Sequence, residues 1–163
     1  MSTNKNTHSI SLSDRIDMFK YLVENGVNVN ARDQFGETML CKAAYSGCLD
    51  IVKCLVENGA DVNARDQFDE TALYFAIYSG CPDIFKYLVE NGADVNAKNS
   101  YGNTVLCKAV YSGCLDIVKC LVENGADVNV KNSRGETVLY NAFRYKRFAI
   151  VKYLIEHGAD VNL

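Results

Sequence analysis

Residues Tyr45 to Asn63 read YSGCLDIVKCLVENGADVN, and the same run returns letter for letter at Tyr111 to Asn129. A looser copy, YSGCPDIFKYLVENGADVN, lies midway at Tyr78 to Asn96, and a fourth, YKRFAIVKYLIEHGADVN, runs from Tyr145 to Asn162. The period is therefore 33 residues. A fixed period of this length specifies a stack of small units, because one unit cannot bury its apolar face alone and must lay it on the next. A globule with a single core is excluded. In such a stack most residues serve the scaffold, and any binding specificity rests on the surface positions that differ between copies.

Each unit carries its own punctuation. The first opens on a turn, Asp33 to Gly36, with Asp and Gly at the first and fourth positions that β-turns favour. Thr38 is placed to cap a short helix, with equivalents at Thr71, Thr104 and Thr137. Leu40, Ala43 and Ala44 form its inner face, and Gly47 stops it. A second helix over about 49–58 buries Ile51, Val52, Leu55 and Val56, and Gly59 ends it. Full units span 33–65, 66–98, 99–131 and 132–163. Residues 13–32 match only the second half of a unit and read as an N-terminal cap, with Ser13 capping a helix that carries Ile16, Phe19, Leu22 and Val23. Residues 1–12 are polar without helical period, and are expected to be disordered.

The pattern D-x-x-G-x-T-x-L-x-x-A, followed by D-I-V-K-x-L-V-E-N-G-A-D-V-N, resembles the ankyrin repeat, and the resemblance covers about residues 14–163. The family's T-P-L-H reads TMLC, TALY, TVLC and TVLY here, so proline and histidine are missing each time. Losing a proline at the first helical position costs about 0.4–1 kcal/mol per unit. Asp69 replaces the tip glycine of the second unit, which aspartate tolerates because it visits left-handed backbone more readily than most residues. The resemblance implies an all-α solenoid of stacked helix-turn-helix units with β-hairpin-like tips. It also implies a non-catalytic module (adaptor, inhibitor or effector) that binds a protein partner on the concave face formed by tips and first helices.

Carried onto this chain position by position, that concave face gives Phe35, Phe68, Tyr101 and Arg134 at the tips. The ends of the first helices add Tyr45, Tyr78, Tyr111, Arg144 and Tyr145. A basic residue precedes each tip: Arg32, Arg65, Lys98 and Lys131. Tyrosine and arginine dominate interface hot spots, so two aromatic columns beside a basic one read as a protein-binding face. The alternative is that Tyr45, Tyr78 and Tyr111 lie half-buried against their neighbours. Leu55, Leu88 and Leu121 each stand eight residues before Asn63, Asn96 and Asn129, which looks like the ankyrin site of an asparaginyl hydroxylase. The plainer role for these asparagines is to hydrogen-bond the backbone of the turn.

A second rhythm runs along the stack. One first-helix position alternates Cys41, Tyr74, Cys107, Tyr140, its neighbour runs Lys42, Phe75, Lys108, Asn141, and a second-helix position runs Val52, Phe85, Val118. Layers of unequal size that interlock fill volume without voids, so the rhythm reads as packing complementarity between units, with duplication of a two-unit segment as the alternative. The last unit breaks symmetry with Arg134, Arg144, Lys146, Arg147 and Lys152, charges expected to solvate the end of the stack, or else to form a patch for an acidic partner.

Composition narrows the function. A net charge of -3 and a pI near 5.4 make nucleic acid an unfavoured partner. No apolar run approaches the ~20 residues of a membrane span, and the polar start is not a secretory signal. The seven cysteines are an odd number at unit-equivalent positions, too far apart along one column to bridge, so they read as reduced core thiols. An intracellular chain is expected, cytoplasmic or nuclear or delivered into a host cell, and monomeric. The spacing of Cys41, Cys48 and Cys54 lacks the paired ligands of a zinc site. The two histidines, His8 and His157, stand beside no nucleophile, and every glycine belongs to a turn or helix end. No catalysis, cofactor or small-molecule substrate is expected. A structural spacer, or a piece of a larger repeat protein, is the alternative function.

Overall fold

The computed structural model describes residues 12–162. Nine α-helices follow one another among the described residues: α1 (Leu12–Glu24), α2 (Met39–Ser46), α3 (Leu49–Glu57), α4 (Ala72–Ser79), α5 (Pro82–Glu90), α6 (Val105–Ser112), α7 (Leu115–Glu123), α8 (Val138–Arg144) and α9 (Phe148–Glu156). From α2 onward they come as pairs in contact, and each pair stacks on the next. The fold is an all-α solenoid. Its hairpin-like tips amount to isolated antiparallel bridges, Arg32 with Thr38, Lys98 with Thr104 and Lys131 with Thr137. No helix among the described residues is long and apolar enough to cross a membrane.

Helices of two turns are marginal in water, so their ends matter. Thr38 Oγ1 accepts from the Cys41 amide (3.4 Å), Thr104 from Cys107 (3.5 Å) and Thr137 from Tyr140 (3.0 Å). Thr71 holds the same extended backbone without that bond. The first helices of three units close on a left-handed glycine, Gly47, Gly80 or Gly113. Lys146 takes this position in the fourth unit at φ 56°, and Asp69 takes the tip position at φ 61°. Aspartate there matches the expectation; lysine has no short polar side chain to offset the same strain. Helix α1 starts at Leu12, one residue early, which leaves Ser13 within its first turn.

The core is continuous from Val23 to Ala159. Ala43 and Ala44 of α2 are buried, as are Ala72 and Ala76 of α4, and these small side chains permit the most extensive helix–helix contact among the described residues. In the second helices Val52, Phe85 and Val118 are wholly buried one above another, as are Leu55, Leu88 and Leu121. Ile51 and Val56, expected in the core, lie at its margin and are half-buried. They flank the stripe that Val52 and Leu55 centre, and Cys54 is buried in that layer instead.

The two outermost layers differ from the rest. Leu22 of α1 is 43% exposed where its equivalent Leu55 is wholly buried, and among the described residues no helix precedes α1 to cover it. At the other end, Phe143 is 60% exposed, although its equivalents Ala44, Ile77 and Val110 are buried against the following unit. Phe148 and Ile155 are exposed beside it. The basic residues expected to solvate this end are exposed, and two of the arginines also bond back into the stack. Arg147 turns back, donating Nη2–H to the Tyr111 carbonyl at 3.0 Å, and Arg144 turns inward to Glu136 at 3.2 Å.

Because a left-handed lysine costs about 1–2 kcal/mol, Lys146→Gly should raise stability by roughly 0.5–1 kcal/mol once the added freedom of the unfolded chain is subtracted. Urea denaturation of the two proteins measures this, and a lowered midpoint would contradict it.

Candidate functional site

The tips are rigid for a reason written in the first residue of each. Asp33 Oδ1 accepts from the amides of Phe35 (2.9 Å) and Glu37 (3.0 Å). Asp66, Asn99 and Asn132 repeat the pattern with Phe68 and Glu70, Tyr101 and Asn103, and Arg134 and Glu136. Successive tips are then tied together: Gln67 donates to the Phe35 carbonyl (3.0 Å), Ser100 to Phe68 (2.9 Å) and Ser133 to Tyr101 (3.2 Å). Gly102 allows the last of these approaches, since a Cβ there would meet the Ser133 amide at 2.8 Å. Phe35, Phe68, Tyr101 and Arg134 thus stand at fixed spacing with their side chains exposed.

A second column rises beside them at the ends of α2, α4 and α6. Tyr45 and Tyr78 lie with ring centroids 5.3 Å apart, and Tyr111 meets Tyr145 edge-on at 4.8 Å. Lys108 joins the two pairs, its Nζ 4.6 Å from the Tyr78 ring and 5.6 Å from the Tyr111 ring. The rings touch, as the alternative reading has it, yet Tyr45, Tyr78 and Tyr111 remain 56%, 52% and 53% exposed. Arg144 extends the column, with its guanidinium 5.8 Å from the Tyr145 ring.

The basic residues are less free than their spacing suggests. Arg32 donates to the Arg65 carbonyl, Arg65 to that of Lys98 (2.9 Å) and Lys98 to that of Lys131 (3.5 Å). Arg65 and Lys98 therefore stitch units together while also facing solvent. Asparagines do the same on the other side of the tips. Asn63 Nδ2 donates to the Gly92 carbonyl (2.9 Å) while its Oδ1 accepts from the Asp94 amide (2.8 Å). Asn96 and Asn129 repeat this with Gly125 and Asp127, and with Gly158 and Asp160. Each carboxamide spends both ends on the next unit, a longer reach than the local turn role expected from sequence.

Between the third and fourth units the concave face deepens into a cavity of about 460 Å³, walled by Tyr101, Lys108, Tyr111, Arg134, Arg144 and Tyr145. Tyr74 forms part of its lining, and burial, then the neighbouring Glu70 carboxylate, pushes this phenol well above its ordinary range. Burial likewise raises the Glu70 carboxyl, against the hydrogen bond that Asn99 Nδ2 donates to it at 3.2 Å. Sequence reasoning treated Lys108 only as part of the size alternation. The signal that could have found it is the pair Asn99 and Asn103, which replace the acidic Asp33 and Glu37 of the first unit.

Little else offers chemistry. His157 donates Nδ1–H to the Tyr153 carbonyl at 2.8 Å and stacks on its ring, while His8 lies outside the described residues. Burial raises the thiols of Cys41, Cys54 and Cys120, which makes them poorer nucleophiles. Among the described residues no group of three or more His, Cys, Asp or Glu could hold a metal.

A family model described as ankyrin repeats (3 copies) matches residues 8–99 and 96–163. No curated protein matches the chain.

Removing one asparagine strands two partners on the following unit, so Asn96→Ala should lower stability by about 1–3 kcal/mol, with Asn162→Ala, whose amide bonds Asp160 within its own unit, nearly neutral in the same denaturation series. The sign at Glu70 is opposite to that of a paired carboxylate. Its pKa is higher folded than unfolded, so the folded state binds more protons and stability is lost as pH rises from the unfolded to the folded value. Glu70→Gln should therefore stabilise the protein at neutral pH and flatten that part of the stability–pH curve, which thermal unfolding across pH reads directly.

Proposed function

The chain belongs to the ankyrin-repeat family, whose members are in general protein-interaction modules and typically non-catalytic, and from that premise we propose that its concave face binds a protein partner as an adaptor, inhibitor or effector. The observation that carries the reading is the pair of aromatic columns on one face: Phe35, Phe68 and Tyr101 along the tips, Tyr45, Tyr78, Tyr111 and Tyr145 along the helix ends. Rings held by backbone ties bind without losing much freedom, which is what makes such side chains anchors. Arg65, Lys98, Lys131, Arg134 and Arg144 supply the polar rim of the same surface. An intracellular location is part of the proposal, supported by seven free thiols, which an oxidising compartment would tend to pair. Hydroxylation of Asn63, Asn96 or Asn129 would add a Cβ oxygen beside the inter-unit clip, and a mass shift after incubation with an asparaginyl hydroxylase tests it.

Proximity labelling in the native cell supplies the partner, and binding of the purified partner supplies the measurement. Tyr78→Ala combined with Phe68→Ala should abolish binding while lowering stability by no more than about 1.5 kcal/mol, the usual worth of an aromatic pair. Binding retained by the double variant rules this face out.

A further inference from the structure

In the first unit Lys42 is neutralised where it stands: Asp33 lies 2.5 Å from its Nζ and Glu37 lies 3.7 Å away. The third unit keeps the lysine, as Lys108, but replaces both carboxylates by Asn99 and Asn103. Among the described residues no carboxylate lies within 4.0 Å of Lys108. Its half-buried ammonium instead rests among the rings of Tyr78, Tyr111 and Tyr74, at 4.6, 5.6 and 5.8 Å. Ring faces hold a cation in place but leave its charge-assisted hydrogen bonds unmade.

The fourth unit adds to this. Arg134 and Arg144 line the same cavity of about 460 Å³, and Glu136, bonded to Arg144 at 3.2 Å, is the one carboxylate in the lining among the described residues. Three cations against one anion make a locally positive pocket on a chain whose net charge is -3. Tyr101, Tyr111 and Tyr145 give that pocket apolar walls.

We propose that this cavity is the anchoring pocket for an acidic peptide segment of the partner, taking an aspartate or glutamate side chain between Lys108 and Arg144 while an adjoining apolar residue lies on the tyrosines. The proposal rests on the concave-face reading above and specifies its chemistry. A carboxylate there gains hydrogen bonds to two cations in a partly desolvated site, and the apolar neighbour covers ring surface that is otherwise wet. A nucleic acid fits less well. A polyphosphate needs a stripe of available cations, whereas Arg32, Arg65 and Lys98 are engaged with carbonyls of the next tip, and exposed Asp69 interrupts the same edge.

The test is selection of a random peptide display library on the full chain, followed by fluorescence anisotropy with the enriched peptide, fluorescein-labelled, as probe. Enriched peptides should carry Asp or Glu beside an apolar residue. Lys108→Gln should weaken the probe about tenfold, and replacing the probe's acidic residue by its amide should weaken it as much, with little further loss when the two changes are combined. Lys108→Arg should keep binding within about threefold, and the unfolding midpoint of Lys108→Gln should match the parent. Enrichment of peptides without acidic residues, or undiminished binding to Lys108→Gln, overturns the pocket. If such binding is still lost in the Tyr78→Ala, Phe68→Ala variant, the concave face stands and the pocket alone falls. Failure of the library to enrich any peptide counts against both. A single-stranded oligonucleotide that binds more tightly than the probe, with the same dependence on Lys108, overturns the peptide in favour of a polyanion.

Discussion

A helix of two turns has no stability of its own, and here every such helix is kept by what lies on its two sides. The interaction on which the molecule depends is therefore the contact between one unit and the next. Its apolar part is the stack of Val52, Phe85 and Val118 with Leu55, Leu88 and Leu121, together with the alanines that let α2 and α4 approach. Its polar part is a set of ties that recur at the same period: asparagine carboxamides to the following unit, tip amides to the preceding tip's carbonyl, basic side chains to the carbonyl of the next basic residue. The apolar part supplies most of the free energy, and the polar ties fix the distance and angle at which units meet.

That division explains how the same scaffold can present a binding face. The ties sit at the tips and on the basic edge, so the aromatic side chains between them are held at fixed spacing without being buried. The layers at either end show the converse. Leu22 and Phe143 occupy positions that are buried elsewhere, and each is exposed where the described residues supply no further layer. Exposure in this fold is set by position along the stack as much as by residue type.

Departures from the repeat locate the chemistry. Asn99 and Asn103 remove two carboxylates and release Lys108 toward the tyrosines. Asn132 continues the change in the fourth unit, where Arg134 and Arg144 enter. The charge of the concave face thus shifts along its length, from a lysine paired with acids in the first unit to three cations facing one acid at the cavity. Faithful copies build the stack and altered copies give it polarity.

The period, the aspartate or asparagine that opens each turn, the capping threonines and the glycine after each second helix were enough by themselves to determine an all-α solenoid, because each acts within a few residues of chain and repeats four times. Even Asp69 in left-handed backbone was legible, as a local property of aspartate. Tertiary structure alone decided where long side chains end. That Lys108 reaches the Tyr78 ring, that Arg147 turns to the Tyr111 carbonyl, and that Asn63 reaches Gly92 depend on groups 29 to 36 residues away. Such partners are brought close only by stacking, and a flexible side chain chooses among them by distance, which no local pattern encodes. The scaffold is a short-range consequence of the sequence; the cavity and its charge are a long-range one.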